Sequence, residues 1–256
     1  MSSLRIEDAC KYFGGLKAVD GINMTVPAGR ITGLIGPNGA GKSTVVNMIS
    51  GVYSLTRGEV YLDEQQLTRL HVDEVARCGI ARTFQNIRLL PEESVLDNVV
   101  IGYFRKQRSG VMSSLMGLPA ALAETRRLRE QAWELLGRFG IQKYADYEAG
   151  SLPYGHQRRV EMARSIAAAP RVVMLDEPVA GMNEVESAEM AEIFEDLARS
   201  GMGLLLIEHN VAFVSRLCSQ VYVLDSGRMI AEGPPEAVTR DPKVIEAYIG
   251  GKADAA

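Results

Sequence analysis

Cysteine is scarce: only Cys10, Cys78 and Cys218 occur in 256 residues. An odd number at such wide spacing builds neither a disulfide framework nor a metal box, and it suits a reducing compartment. No stretch approaches the ~20 apolar residues that a membrane span needs. An uncharged run from Gly110 to Ala123 is broken by Ser113, Ser114, Gly117 and Pro119. The opening Met1 to Arg5 has no apolar signal-peptide core, so the chain is expected to be soluble by itself and cytoplasmic. Work at a membrane would then require a partner to hold it there. A basic excess is also missing: 28 Lys+Arg stand against 32 Asp+Glu, a net charge of −4, which weighs against bare nucleic acid as the main partner. No internal repeat or low-complexity tract is present. With 46% hydrophobic and 23% charged residues, the composition excludes disorder and collagen-like chains. The length suits one large α/β domain, or a core with a subdomain.

Short strand-like runs alternate with helix-like runs at both ends of the chain. Arg30 to Gly36 reads as a strand that becomes buried, and Lys42 to Ser50 as the helix after it. Gly58 to Asp63 alternates as a half-exposed strand. Arg171 to Asp176 and Gly203 to Glu208 are continuous apolar runs with polar ends, as in central parallel strands buried on both faces. Gln220 to Asp225 and Gly227 to Glu232 form two strands around a tight Ser226-Gly227 turn. The strand–helix–strand order predicts a parallel sheet with crossover helices.

Roughly Asn86 to Ala169 is mostly helical in character. Leu128, Ala132, Leu135, Leu136 and Phe139 share one face, opposite Arg126, Arg127, Arg129 and Glu130. This segment reads as a mainly helical subdomain inserted in the α/β core, and the arginines as a solvated face. At the end of the chain Asp241 can cap a helix, Pro242 suits its first turn and Gly250 its exit.

Four motifs carry chemistry. Gly36-Pro37-Asn38-Gly39-Ala40-Gly41-Lys42-Ser43-Thr44 satisfies G-x-x-x-x-G-K-[ST] between a predicted strand and a predicted helix. Its glycines let backbone N–H groups curl around phosphate oxygens, and the helix N-terminus adds positive potential. Lys42 would reach the β- and γ-phosphates and Ser43 would ligate Mg²⁺. Asp176, at the end of a buried parallel strand, can hold Mg²⁺, and Glu177 can orient and deprotonate an attacking water. His209 follows a third buried strand and is a candidate to hold the γ-phosphate. Leu152-Pro153-Tyr154-Gly155-His156-Gln157-Arg158-Arg159 opens a second glycine-bearing helix, read to end at Ala169 before Pro170.

In this order and spacing, the four motifs resemble the nucleotide-binding subunit of ABC transporters over essentially the whole chain. The resemblance implies a RecA-like P-loop NTPase core (residues 1–85 and 170–256), an antiparallel β subdomain and an inserted helical subdomain (86–169). It implies two subunits sandwiching two ATP molecules with Mg²⁺. Asn38, Gly39, Ala40, Gly41, Lys42, Ser43 and Thr44 would cradle ATP in one subunit, and Tyr154, Gly155 and His156 would cap the ATP of the other. Phe13 resembles the aromatic that stacks on adenine, with Val19 beside it and Tyr12 the competing choice. Gln85, in Arg82-Thr83-Phe84-Gln85, matches the glutamine that links Mg²⁺ and water to the helical subdomain. Pro178 to Asn183 matches the loop that crosses the dimer interface.

The usual L-S-G-G-Q signature is altered here. Pro153 replaces the serine, Tyr154 the first glycine and His156 the glutamine, and Asn183 stands where the crossing loop normally has Asp. Proline brings neither a hydroxyl nor an N–H. These departures favour pairing with a different ATPase subunit over a symmetric homodimer.

They also resemble the ATPase subunits of branched-chain amino acid importers, through Ala180-Gly181-Met182-Asn183 and the tail Asp241 to Gly250. That subfamily has an extra loop, expected here at about 104–124. The resemblance implies two hydrophobic permease subunits, a second ATPase subunit and, indirectly, a periplasmic substrate-binding protein. It places the chain peripherally on the cytoplasmic face of the inner membrane. Lipopolysaccharide or lipid export and urea uptake are the related alternatives. A soluble ABC ATPase acting on nucleic acid or ribosomes is the alternative from another class. The basic Arg105, Lys106 and Arg108 beside the uncharged run could face lipid headgroups or a permease, or the run could fold on its own subdomain.

Overall fold

The structure is a computed structural model and describes residues 3–83, 87–104 and 118–250. Its strands are β1 (Ser3–Phe13), β2 (Leu16–Pro27), β3 (Ile31–Ile35), β4 (Arg57–Leu62), β5 (Gln65–Gln66), β6 (Ile80–Arg82), β7 (Val172–Asp176), β8 (Gly203–Ile207), β9 (Gln220–Asp225) and β10 (Arg228–Gly233). Its helices are α1 (Lys42–Ile49), α2 (Val72–Cys78), α3 (Val95–Gly102), α4 (Pro119–Arg138), α5 (Tyr154–Ile166), α6 (Glu184–Arg199), α7 (Val211–Leu217), α8 (Pro235–Val238) and α9 (Pro242–Gly250). Contacts divide the chain into two compact units. One takes Met1–Arg82, Arg171–Pro178 and Met190–Ala256, and the other takes Thr83–Pro170 and Val179–Glu189. The segment 179–189, assigned by sequence to the core, therefore groups with the helical unit.

The first unit holds both sheets. An antiparallel sheet has the order β2-β1-β4-β5, and a six-stranded sheet has the order β10-β9-β3-β8-β7-β6. In the second sheet β9, β3, β8, β7 and β6 run parallel, and β10 pairs antiparallel with β9. All five residues of β3 and of β8 are buried, which is why those stretches read as unbroken apolar runs. Leu34, Val45, Ile49, Val60, Met174 and Leu205 meet in the core of this unit. Each such side chain contributes ~1.5–3 kcal/mol on leaving water.

The β9–β10 hairpin turns at Ser226 and Gly227, both with positive φ (47° and 77°). Two left-handed residues make the turn whose twist matches paired strands. The Gly227 N–H donates to the Ala40 carbonyl at 2.9 Å, so the hairpin tip supports the glycine-rich loop. At the chain end the Asp241 side chain accepts from the Lys243 N–H at 2.8 Å, and α9 follows.

The second unit is helical, with α3 packed against both α4 and α5. Val95, Val99, Leu128, Ala132, Leu136, Phe139, Val160 and Met162 are buried in it. The crossing is close at Gly102, where an added Cβ would lie 2.2 Å from the Arg164 carbonyl oxygen. Arg126, Arg127 and Arg129 are exposed on α4.

Two sequence expectations are corrected here. Residues 119–124, expected in a loop, form the first turns of α4, because Pro119 at N1 starts a helix well. Residues 105–117, with Arg105, Lys106 and Arg108, lie outside the described residues. The α5 helix ends at Ile166 and not at Ala169. Ala169, before Pro170, has positive φ (53°), so the chain has left the helix by that residue.

Candidate functional site

The glycine-rich loop joins β3 to α1. Gly36, Gly39 and Gly41 have φ of 150°, 80° and 105°. A Cβ on Gly36 would sit 2.0 Å from the Leu224 carbonyl oxygen, and one on Gly41 would sit 2.6 Å from the Ala18 carbonyl oxygen. Packing therefore demands glycine at both. Gly39 faces open space and is held to glycine by conformation alone. Asn38, Gly39 and Ser43 are exposed, Thr44 is half-buried and Ala40 is buried. The loop leaves the N-terminus of α1 uncovered by any side-chain cap, with its free N–H groups available to an anion.

Lys42 folds over the loop. Its Nζ donates to the Gly36 and Pro37 carbonyls at 2.8 and 2.9 Å. Partial burial pushes the ammonium below the usual lysine range, while the Glu177 and Asp176 carboxylates pull it back up. A cation so placed is poised to exchange loop carbonyls for phosphate oxygens.

Asp176 and Glu177 stand together at the end of β7. Asp176 ends β7 and pairs in register with Ile207, the last residue of β8. Its Oδ2 accepts from Arg82 Nη2 at 3.1 Å. Glu177 is left-handed (φ 46°), and its N–H donates to the Ile207 carbonyl at 2.9 Å. Such a backbone is costly for a residue with a Cβ and is kept here by the strand beside it. The Glu177 carboxylate lies 3.7 Å from His209 Nδ1, and the buried Glu208 lies 3.8 Å from the same nitrogen. Lys42, Asp176, Glu177 and His209 thus belong to one compact unit.

Phe13 and Tyr12 differ in availability. The Tyr12 hydroxyl donates to Asp20 at 2.5 Å, and Arg228 and Lys17 also bind Asp20. These bonds hold the Asp20 carboxyl down at about 2, the Tyr12 bond contributing most, and the same bond pushes the phenol up. Phe13 is 43% exposed, with Tyr53 edge-on at 5.3 Å and Lys11 Nζ 5.0 Å from its ring centre. Phe13 is the more exposed of the two rings. Val19 is a correction: it is fully buried and offers a base no surface. Its Cγ2 packs 3.5 Å from the Cβ position of Gly41, so it supports the loop.

The second glycine-bearing helix, α5, opens at Pro153, whose carbonyl accepts from His156 and Gln157 N–H at 3.0 Å each. Tyr154 is exposed and Gly155 is buried, with its Cβ position 2.7 Å from Glu186 Oε1. His156 is half-buried and tilts against Tyr144, ring centres 4.9 Å apart. Burial, then the Arg159 and Lys143 cations, push its imidazole below the usual range. Behind it, Arg158 and Glu161 form a fully buried pair at 2.9 Å. Asn183 caps α6: its Oδ1 accepts from the Glu186 N–H at 2.9 Å, and the Glu186 carboxylate accepts from the Asn183 N–H at 3.0 Å. Asparagine keeps the acceptor that Asp would supply.

Gln85 lies outside the described residues. Arg82, Asn47, Tyr53, Tyr144 and Glu186 were not legible as site residues. Arg82 lay in the segment that carries Gln85 without a role of its own, and Asn47 lies four residues after Ser43 on the same helix. Among the described residues no cluster of three or more His, Cys, Asp or Glu could hold a metal, and no helix is long and apolar enough to cross a membrane. The hydroxyl of Ser43 and the carboxylate of Asp176 are hard oxygen donors, a set that fits Mg²⁺ shared with phosphates and water.

The ABC transporter family profile matches residues 19–180. The chain belongs to the ABC transporter ATP-binding family. It is 38% identical to the high-affinity branched-chain amino acid transport ATP-binding protein LivG of Escherichia coli K12, over 96% of this chain and 97% of LivG. Identity to BraF of Pseudomonas aeruginosa, a protein of the same description, is 36% over 96% and 97%. The ADP conformation of MJ1267, an ATP-binding cassette of an ABC transporter, superposes with a TM-score of 0.85 at 35% identity, covering 98% of this chain and 99% of that one. A profile described as branched-chain amino acid ATP-binding cassette transporter matches residues 228–254. This ABC ATPase thus carries that profile over β10, α8 and α9.

Proposed function

We propose that this ABC ATPase powers a membrane importer for branched-chain amino acids. The observation that carries the reading is the match of residues 228–254 to the branched-chain profile, on a chain alike LivG and BraF from end to end. The family likeness supports two permease subunits as partners, a second ATPase subunit beside this one and a place on the cytoplasmic face of the membrane.

In this reading the loop from Asn38 to Thr44 and the α1 N-terminus bind the phosphates of ATP, and Phe13 stacks on adenine. Lys42 neutralises charge on the transferring phosphoryl group. Ser43 and Asp176, with Gln85, would hold Mg²⁺, which would supply further charge neutralisation. Glu177 accepts a proton from the attacking water, and His209 steadies the γ-phosphate. Tyr154, Gly155 and His156 cap the nucleotide of the opposite subunit. With Pro153 in place of a hydroxyl and Asn183 in the crossing loop, the partner across the sandwich is a different ATPase.

Co-purification tests the reading. The tagged protein is drawn from gently solubilised native membranes and its companions are identified by mass spectrometry. Two permease chains and a second ATPase are expected. Recovery of lipid-export components with a homodimer would refute the substrate and the unequal pairing together.

A further inference from the structure

Arg82 closes β6 and makes contacts that none of the motifs assigns. Its Nη2 donates to Asp176 Oδ2 at 3.1 Å, and its Nη1 donates to Asn47 Oδ1 at 2.6 Å. The pair is mostly buried, with the side chains 20% and 13% exposed, and Arg82 Nε is buried without a hydrogen bond. Asn47 lies four residues after Ser43 on α1, one helical turn away on the same face. The guanidinium therefore spans the two elements that carry Ser43 and Asp176.

We propose that Arg82 is a positioning residue that serves as the resident counter-ion of Asp176, and that Mg²⁺ must compete with it for that carboxylate. This inference rests on the reading of Ser43 and Asp176 as Mg²⁺ ligands. A mostly buried carboxylate is costly without a cation, so a protein that cycles between metal-bound and metal-free states benefits from one built in. The same fixed charge opposes a divalent ion that arrives on the other side of the carboxylate. Arg82 thereby raises the Mg²⁺ concentration that nucleotide binding requires, and it keeps Asp176 in place when Mg²⁺ leaves. Lysine cannot span Asn47 and Asp176 with one planar fork, but it keeps the charge.

The test is the Mg²⁺ dependence of equilibrium binding of a fluorescent ADP analogue, measured for the parent, Arg82→Gln, Arg82→Lys and Asp176→Asn. The proposal expects Arg82→Gln to lower the half-saturating Mg²⁺ about tenfold and to lower the melting temperature in EDTA more than in Mg²⁺. Arg82→Lys stays within about twofold of the parent. An unchanged or raised Mg²⁺ requirement in Arg82→Gln overturns the proposal. If Asp176→Asn leaves the Mg²⁺ dependence intact, the ligand reading itself fails. If Asp176→Asn abolishes that dependence while Arg82→Gln does not move it, only the counter-ion role fails. A second readout needs no charge-removing variant. The Arg82 guanidinium NMR signal, assigned by its loss in Arg82→Lys, must shift when Mg²⁺ is added to the ADP-bound parent, and a static signal overturns the competition.

Discussion

Replacing Glu177 by glutamine removes a charge and leaves the shape. The carboxylate follows β7 in a left-handed backbone, with its N–H on the Ile207 carbonyl at 2.9 Å and its Oε1 3.7 Å from His209. Glutamine can keep that backbone bond but cannot accept the water proton. A positioned general base contributes ~10²–10⁴-fold, or about 3–5 kcal/mol of barrier at ~1.36 kcal/mol per tenfold. Glu177→Gln is therefore expected to lower ATP turnover by about two to four decades with nucleotide affinity retained. Glu177→Gly separates strain from chemistry. A left-handed residue with a Cβ costs about 1–2 kcal/mol that glycine avoids, so this variant should melt no lower than the parent and yet be as inactive as Glu177→Gln. Phosphate release under single-turnover conditions, with a parallel binding titration, measures both. Parental turnover in Glu177→Gln, or activity in Glu177→Gly, would refute the assignment of this carboxylate as the base.

Four further outcomes are expected. Gly36→Ala should abolish nucleotide binding, because its Cβ would lie 2.0 Å from a backbone oxygen, whereas Gly39→Ala meets no atom within 4 Å and should keep binding at a cost of ~1–2 kcal/mol; paired titrations and melting curves compare them. Asn183→Ala should lose about 1 kcal/mol through its cap and Asn183→Asp almost nothing, as read by chemical denaturation. His156 has a folded pKa below its unfolded value, so its contribution to stability is full above the ordinary pKa of ~6.5 and falls as the pH drops below it; melting temperatures between pH 5 and 8 should fall less steeply towards acid in His156→Gln. Burial pushes the Cys218 thiol up to about 12, so iodoacetamide at pH 8 should label half-buried Cys78 well before Cys218, as peptide mass spectrometry would show.

Legibility followed burial and chain separation. The strands β3, β7 and β8 were plain because parallel strands covered on both faces leave unbroken apolar runs, and the glycine-rich loop was plain because its local conformation dictates residue type. By contrast β6 is three residues long and carries no period, although it is the edge strand that delivers Arg82 to Asp176. The β1–β2 pair is bulged at several positions and its Asp8 has positive φ, which blurs the alternation that marks a strand. Asp176 and Glu177 could be placed at a strand end from sequence alone. The partner of Asp176 could not, since Arg82 lies 94 residues before it, and Asn47, which holds the other arm of Arg82, lies a further 35 residues back. The difference between Tyr12 and Phe13 was not legible either, because it comes from the Tyr12 hydroxyl bonding Asp20 while Phe13 stays 43% exposed.

The central claim is that ATP hydrolysis by this chain drives uptake of branched-chain amino acids. The most direct measurement reconstitutes the chain with its co-purified permease and ATPase partners in proteoliposomes and follows radiolabelled leucine uptake. The account predicts ATP-dependent accumulation that is lost when this subunit carries Glu177→Gln. A complex that hydrolyses ATP without moving leucine, isoleucine or valine, and responds instead to lipopolysaccharide or urea, would contradict it.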